Sequence, residues 1–135
     1  MSGEVLPFQA VYIGKTLASL PTSSAPNYKR ATEELKFQFE SSGNDTYWST
    51  IKTMQSSVTN ILAPYFESHH QHLGLPNQLC IWQIDAWSVH KSIEFRSWVW
   101  KHYPWIQIHY IPANCTGLFQ PCDVGIQQVL KLAIR

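Results

Sequence analysis

The segment from Gln78 to Asp85 reads QLCIWQID, an apolar run of strand length that ends in an acid. A continuous run of this kind is typical of a strand covered on both faces of a sheet. A second strand is predicted from Trp105 to Ile111 (WIQIHYI), because that segment is rich in β-branched and aromatic residues. Between them, SVHKSIEFRSWVWKHY (Ser88 to Tyr103) offers a serine cap followed by apolar residues at mostly helical spacing. The order strand, helix, strand favours a parallel pair in an α/β layer.

The same alternation extends in both directions along the chain. Apolar residues at gaps of three and four predict a helix from Tyr47 to about Leu73, kinked or restarted at Pro64. An early strand is predicted from Val5 to Gly14, and a short helix from Thr32 to Phe39. A last helix is predicted in the segment headed by Asp123, DVGIQQVLKLAIR. The predicted fold class is therefore α/β.

The composition limits the classes of protein that fit. With 135 residues, 44% of them hydrophobic and 14% charged, the chain suits one globular domain and excludes a disordered chain. A formal charge of +1 excludes a strongly basic nucleic-acid scavenger, although a local basic face is compatible with it. The three cysteines include no Cys-x-x-Cys pair and favour a reduced compartment. We predict no signal peptide, since no positively charged start is followed by an apolar core, and no membrane span, since no apolar stretch reaches ~18 residues.

Two acids follow the two predicted parallel strands. Asp85 ends the first strand, and Asp123 follows the second after a loop that runs from Pro112 to Pro121. Ligands in open α/β sheets gather at the carboxyl ends of strands, so both carboxylates can lie over one sheet edge. Hard oxygen ligands of this kind suit Mg²⁺ or Mn²⁺. The alternative is that each acid is only a helix cap or a turn residue.

A family resemblance rests on two segments, QIDAWSVHKSIEFRSW and YIPANCTGLFQPCDVGIQQVLK. Together they resemble the second half of the catalytic domain of pogo-like transposases, which belong to the DDE superfamily of endonucleases. GEVLPFQAVYIGKT resembles the strand that precedes a long insertion in the same family. The resemblance implies a ribonuclease-H-like fold and metal-dependent cutting and joining of DNA, with the nucleus as the compartment. By position, Asp85 matches the second catalytic acid of the family and Asp123 the third, with Mg²⁺ or Mn²⁺ as the expected cofactor.

The chain departs from the family pattern at the first catalytic acid. No acid in residues 1–135 fits that role, since Glu4 precedes the surviving strand in a turn and Asp45 falls in a loop. We therefore expect one partial DDE catalytic domain over residues 1–135, truncated at its N-terminus, with little or no nuclease activity by itself. The alternatives are a non-catalytic remnant that binds DNA or a protein, and a gene relic without function. A homo-oligomer is left open.

Several polar side chains are candidates for contacts to DNA phosphates, with ordinary surface positions as the alternative. These candidates are Lys15, His90, Lys91 and Arg96. His90 is also interpreted as a residue that can approach Asp85. We interpret the tryptophans Trp98, Trp100 and Trp105 as core or interface residues rather than base-stacking platforms.

Overall fold

The structure, a computed structural model, describes residues 5–112 together with Cys115. The chain divides into two compact units, residues 1–76 and residues 77–135. Asp123 and the helix predicted after it lie outside the described residues.

The first unit combines a two-stranded sheet with a long helical segment. Its two strands, β1 and β2, are parallel, with Gln9 opposite Gln38. The elements in chain order are β1 (Gln9–Tyr12), a 3₁₀ turn (Leu17–Ser19), a π-helical turn (Arg30–Glu34), β2 (Gln38–Ser41), α1 (Ile51–Ser57), a second π-helical turn (Val58–Leu62) and α2 (Ala63–Leu73).

The second strand of this unit replaces the short helix predicted from Thr32 to Phe39, so that prediction is wrong over its second half. The aromatic rings explain the difference. Phe37 packs edge-on against Phe8 with ring centroids 5.4 Å apart, and Phe39 packs against Tyr12 at 6.0 Å. These aromatic contacts between neighbouring strands favour extended backbone over the local helical preference.

The strand predicted from Val5 to Gly14 is shorter in the structure, where β1 covers Gln9–Tyr12 and Gly14 turns the chain after it. Gly14 has a φ of +136°, and a Cβ atom placed there would lie 2.5 Å from the Cβ of Ser19. Its N–H donates to the carbonyl of Asn44 at 3.1 Å. Only glycine satisfies both the backbone conformation and the close approach.

The long helical segment of the first unit begins at a capping box. The Thr50 hydroxyl accepts from the Thr53 N–H, and the Thr53 hydroxyl accepts from the Thr50 N–H. The segment ends at Gly74, which adopts the left-handed conformation with a φ of 66°.

A wide turn lies in the middle of this helical segment, where the sequence predicts a kink or restart at Pro64. The Ala63 N–H donates to the carbonyl of Val58, five residues back, instead of four. Proline has no N–H, and its ring clashes with the carbonyl four residues earlier, so a wider turn before Pro64 relieves the clash. The apolar core of the unit lies on this turn, at Val58, Ile61, Leu62 and Ala63.

The second unit contains the predicted parallel pair, and the pairing is confirmed. β3 (Cys80–Asp85) and β4 (Ile106–Ile111) pair in parallel register over their whole length, with Cys80 opposite Ile106 and Asp85 opposite Ile111. The prediction that the first strand is covered on both faces is wrong, because Ile81 is 64% exposed while its neighbour Trp82 is half-buried.

The helix predicted from Ser88 to Tyr103 is divided in two. α3 (Ser88–Lys91) ends at Ser92, whose backbone is extended, and α4 (Ile93–His102) begins after it. The Ser92 hydroxyl accepts from the Phe95 N–H at 3.2 Å, so this serine is an N-cap inside the predicted helix. Phe95 is fully buried and contacts Trp82 of β3 edge-on, which holds α4 against the strand pair.

Candidate functional site

The carboxyl ends of β3 and β4 coincide, because Asp85 and Ile111 are opposite each other and each ends its strand. The Asp85 side chain is 38% exposed, so its carboxylate reaches solvent at this edge of the parallel pair. This is the position at which ligands bind in open α/β sheets. The prediction that Asp85 ends the strand is confirmed.

His90 holds the Asp85 carboxylate. Its ring nitrogen Nδ1 lies 2.7 Å from the Asp85 Oδ1 atom and 3.3 Å from the backbone carbonyl oxygen of the same residue. An ionised carboxylate only accepts hydrogen bonds, so Nδ1 carries the hydrogen. His90 is buried, with the Trp87 ring edge-on at 5.2 Å and the Phe95 ring at 6.4 Å. The four-residue helix α3 therefore folds the chain back so that a residue five positions on reaches the end of the strand.

Tyr110 ties the same helix to the second strand. Its hydroxyl donates to the backbone carbonyl of His90 at 2.7 Å, from a position opposite Ile84 in the parallel pair. Burial raises the pKa of the Tyr110 hydroxyl, and the nearby positive charge of Arg96 partly opposes this. The hydroxyl thus stays protonated as a donor at neutral pH. Sequence reasoning missed Tyr110, and its only signal is the alternation that puts it on the same strand face as Ile106 and Ile108.

Asp85 fits the role of one ligand to a hard cation. Its Oδ1 is engaged by His90, whereas Oδ2 has no hydrogen-bond or ion-pair partner among residues 5–112 and 115. A solvent-reaching carboxylate oxygen is the donor that Mg²⁺ and Mn²⁺ prefer. Within the described part of the chain, no three residues of the types His, Cys, Asp and Glu come together as a metal cluster. The second predicted ligand, Asp123, is outside that part.

The basic candidates are distributed over both units. Lys91, in α3, and Arg96, in α4, are exposed residues of the second unit. Lys15 belongs to the first unit, where it is exposed and forms an ion pair with Asp45 at 3.5 Å. An exposed pair of this kind contributes little stability, about 0–1 kcal/mol, and leaves the lysine free to exchange partners.

A groove of about 320 Å³ runs between α4 and β4. Arg96 and Trp100, one turn apart on α4, line it together with Gln107 and Tyr110 of β4. Trp100 is 74% exposed, so of the two positions expected for it, core or interface, the core position is excluded. The groove thus presents a guanidinium, an aromatic face and an amide side by side.

Two parallel strands with a carboxylate at their carboxyl ends are typical of an α/β domain that binds its ligand at that edge of the sheet. The chain matches the family model of the DDE superfamily endonucleases over residues 2–135 and belongs to that family. Members of this family process DNA in the manner of transposases and generally depend on divalent metal ions. No curated protein and no solved structure matches the chain.

In the described residues, no helix combines the length and apolar character that crossing a membrane requires.

Proposed function

We propose that the chain is a ribonuclease-H-like domain of a pogo-like transposase, with Asp85 and Asp123 as the carboxylates that hold Mg²⁺ or Mn²⁺ on DNA. The observation that carries this proposal is Asp85, which ends a parallel strand in a chain of the DDE family and has a side chain that is 38% exposed. When bound, the ion would activate a water or hydroxyl nucleophile and neutralise charge on the phosphate. The nucleus is the compartment we propose, because DNA is the substrate.

The roles of the protein groups follow from their chemistry. Asp85 supplies a hard oxygen ligand, and Asp123 is proposed as the second. Lys91 and Arg96 are proposed to bind phosphates of the DNA backbone, as is Lys15 in the first unit. Two carboxylates leave most of the Mg²⁺ coordination to water, so binding is weak. We therefore propose that these 135 residues by themselves cleave DNA little or not at all.

Cation binding tests the site directly. Mn²⁺ added to the ¹⁵N-labelled chain should broaden the amide signals of Asp85 and Ala86, and Asp85→Asn should remove most of this broadening. Asp123→Asn should weaken it, while Asp45→Asn, a change at an exposed acid of the first unit, should leave it unaltered. Broadening that survives Asp85→Asn would show that the cation binds elsewhere.

A plasmid-nicking assay tests the proposed lack of activity. The purified chain should leave supercoiled DNA intact in Mg²⁺ and in Mn²⁺. Metal-dependent nicking that Asp85→Asn abolishes would contradict the proposed inactivity and support the metal site.

A non-catalytic nucleic-acid binder is the second candidate, and the groove between α4 and β4 favours it. Arg96 can pair with a phosphate, and the exposed face of Trp100 can stack on a base. Binding to a fluorescent single-stranded oligonucleotide should then weaken with salt, and Trp100→Ala should reduce affinity by roughly tenfold, the effect of losing one stacked base. Ile93→Ala, which trims another exposed side chain of α4, is the matched control. Equal affinities for the three proteins would exclude the groove as the binding site.

A further inference from the structure

We propose that His90 is a positioning residue that orients the Asp85 carboxylate through an Nδ1–H···Oδ1 hydrogen bond, so that Oδ2 is the oxygen offered to a cation. This inference rests on the proposed function, because it gives His90 a role in the same site. It assigns to His90 a contact with the acid rather than with DNA phosphate.

The need for such a residue follows from the exposure of Asp85. The Asp85 side chain is 38% exposed at the end of a strand, so packing alone does little to fix its two side-chain torsions. A hydrogen bond to an ionised acceptor at 2.7 Å is short and among the stronger kinds in proteins, so it selects one orientation. The same N–H lies 3.3 Å from the Asp85 carbonyl oxygen, which fixes the ring relative to the strand backbone as well.

The donor is itself held in place, as a positioning group must be. Trp87 and Phe95 pack around the imidazole, and the residue is buried. The Tyr110 hydroxyl binds the backbone carbonyl of His90, so the helix that carries the ring is anchored to β4. The carboxylate at the end of one strand is thereby oriented by a residue that the neighbouring strand holds.

The arrangement also specifies which ring nitrogen bears hydrogen. The Asp85 carboxylate and the Asp85 carbonyl both accept, so both of the Nδ1 contacts require Nδ1–H. In the neutral ring, Nε2 then carries the lone pair.

A purely structural role for His90 makes a different prediction. If the imidazole only fills space between Trp87 and Phe95, an apolar side chain of similar size should replace it without effect on Asp85. If the N–H matters, the replacement must carry a donor at the position of Nδ1. Asparagine does so, because its amide nitrogen occupies nearly the same place as Nδ1, whereas leucine fills comparable volume without a donor.

The experiment combines two measurements on the 135-residue chain. The first is a long-range ¹H–¹⁵N spectrum of the histidine rings, at a pH where the imidazoles are neutral, with His90→Asn used to assign the His90 signals. Hydrogen on Nδ1 is expected, and a ring protonated on Nε2 would overturn the proposal. This measurement needs no metal and no folded leucine variant.

The second measurement is a titration in which Mn²⁺ broadens the Asp85 and Ala86 amide signals. His90→Leu should weaken Mn²⁺ binding by roughly 10–100-fold, the usual effect of losing a partner of a metal ligand, whereas His90→Asn should stay within a few-fold of wild type. Unchanged binding in His90→Leu, while Asp85→Asn abolishes it, would overturn the role of His90 alone. Unchanged binding in Asp85→Asn would overturn the proposed metal site, and the role of His90 with it.

Discussion

Replacing Tyr110 with phenylalanine isolates the bond between α3 and β4. The ring stays and keeps its apolar burial, while the 2.7 Å hydrogen bond to the His90 carbonyl is lost. A hydrogen bond of this kind contributes about 0.5–1.5 kcal/mol, and a carbonyl left unpaired in a buried residue adds to the loss. We therefore expect the free energy of unfolding to fall by about 1–2 kcal/mol.

Urea denaturation measures this change. With a slope of about 2 kcal/mol/M, the middle of the usual range for small proteins, the urea midpoint should fall by roughly 0.5–1 M. Tyr47→Phe is the matched control, because the same hydroxyl is removed from a residue that is 61% exposed, and the change should stay within about 0.5 kcal/mol.

The urea midpoints of Tyr110→Phe and Tyr47→Phe together test whether the Tyr110 hydroxyl anchors α3. If Tyr110→Phe unfolds at the same urea concentration as wild type, the hydroxyl does not anchor α3. The account of how His90 is held beside Asp85 would then lose its second support. A fall in the slope of the transition, rather than in its midpoint, would also count against the reasoning, because it would indicate a change in compactness rather than the loss of one bond.

Three further outcomes follow from the local structure. Gly14→Ala should destabilise the first unit by more than ~1 kcal/mol, since the new Cβ would lie 2.5 Å from that of Ser19 at a φ of +136°; a urea midpoint equal to wild type would contradict this. Ser92→Ala removes the N-cap of α4 and should cost about 1 kcal/mol in a thermal melt followed by circular dichroism, while Ser92→Asp should retain most of the stability. Burial raises the pKa of the Cys80 thiol and of the Tyr110 hydroxyl, so the folded state favours their protonated forms. The free energy of unfolding should not change with pH below the ordinary pKa values of these groups, 9.0 for the thiol and 10.0 for the phenol. It should fall as the pH rises through the raised values, and Cys80→Ala should make this fall less steep in urea titrations at several pH values.

The local elements that the sequence predicts best are those in which one strong signal dominates. The apolar run that ends at Asp85 and the aromatic, β-branched run that ends at Ile111 predict the parallel pair, because both lengths and compositions suit strands and not helices. The sequence does not indicate the break at Ser92, because a serine four residues after the predicted cap Ser88 still fits a helical spacing. Ser88 itself is the first residue of α3, and the N-cap position is Trp87. Ser92 has an extended backbone and its hydroxyl accepts from the Phe95 N–H, and the spacing of apolar residues indicates neither feature.

The candidate site was predictable in part for the same reason. The position of Asp85 follows from local sequence, and the five-residue step to His90 allows contact without specifying it. The bond from Tyr110 to the His90 carbonyl joins residues 20 positions apart, and no periodicity in either segment encodes it. The sequence does not predict β2, because Phe37 and Phe39 contact aromatic rings 29 and 27 residues earlier in the chain, so the evidence for extended backbone is not local.

The wide turn at Val58–Leu62 has a consequence for insertions and deletions in the helical segment. An α-helix advances by about 100° per residue, and the wide turn accommodates one residue more than a regular helix would over the same rise. Deleting one residue there would restore a regular α-helix and leave α2, from Ala63 to Leu73, in nearly its present rotation, because the wide turn already absorbs the extra residue. Deleting one residue after the turn, within α2, would instead rotate the residues that follow by about 100° about the helix axis. His70, now buried, would then turn away from the core. The wide turn is therefore the place in this helical segment where a one-residue deletion leaves the inward face of α2 unchanged.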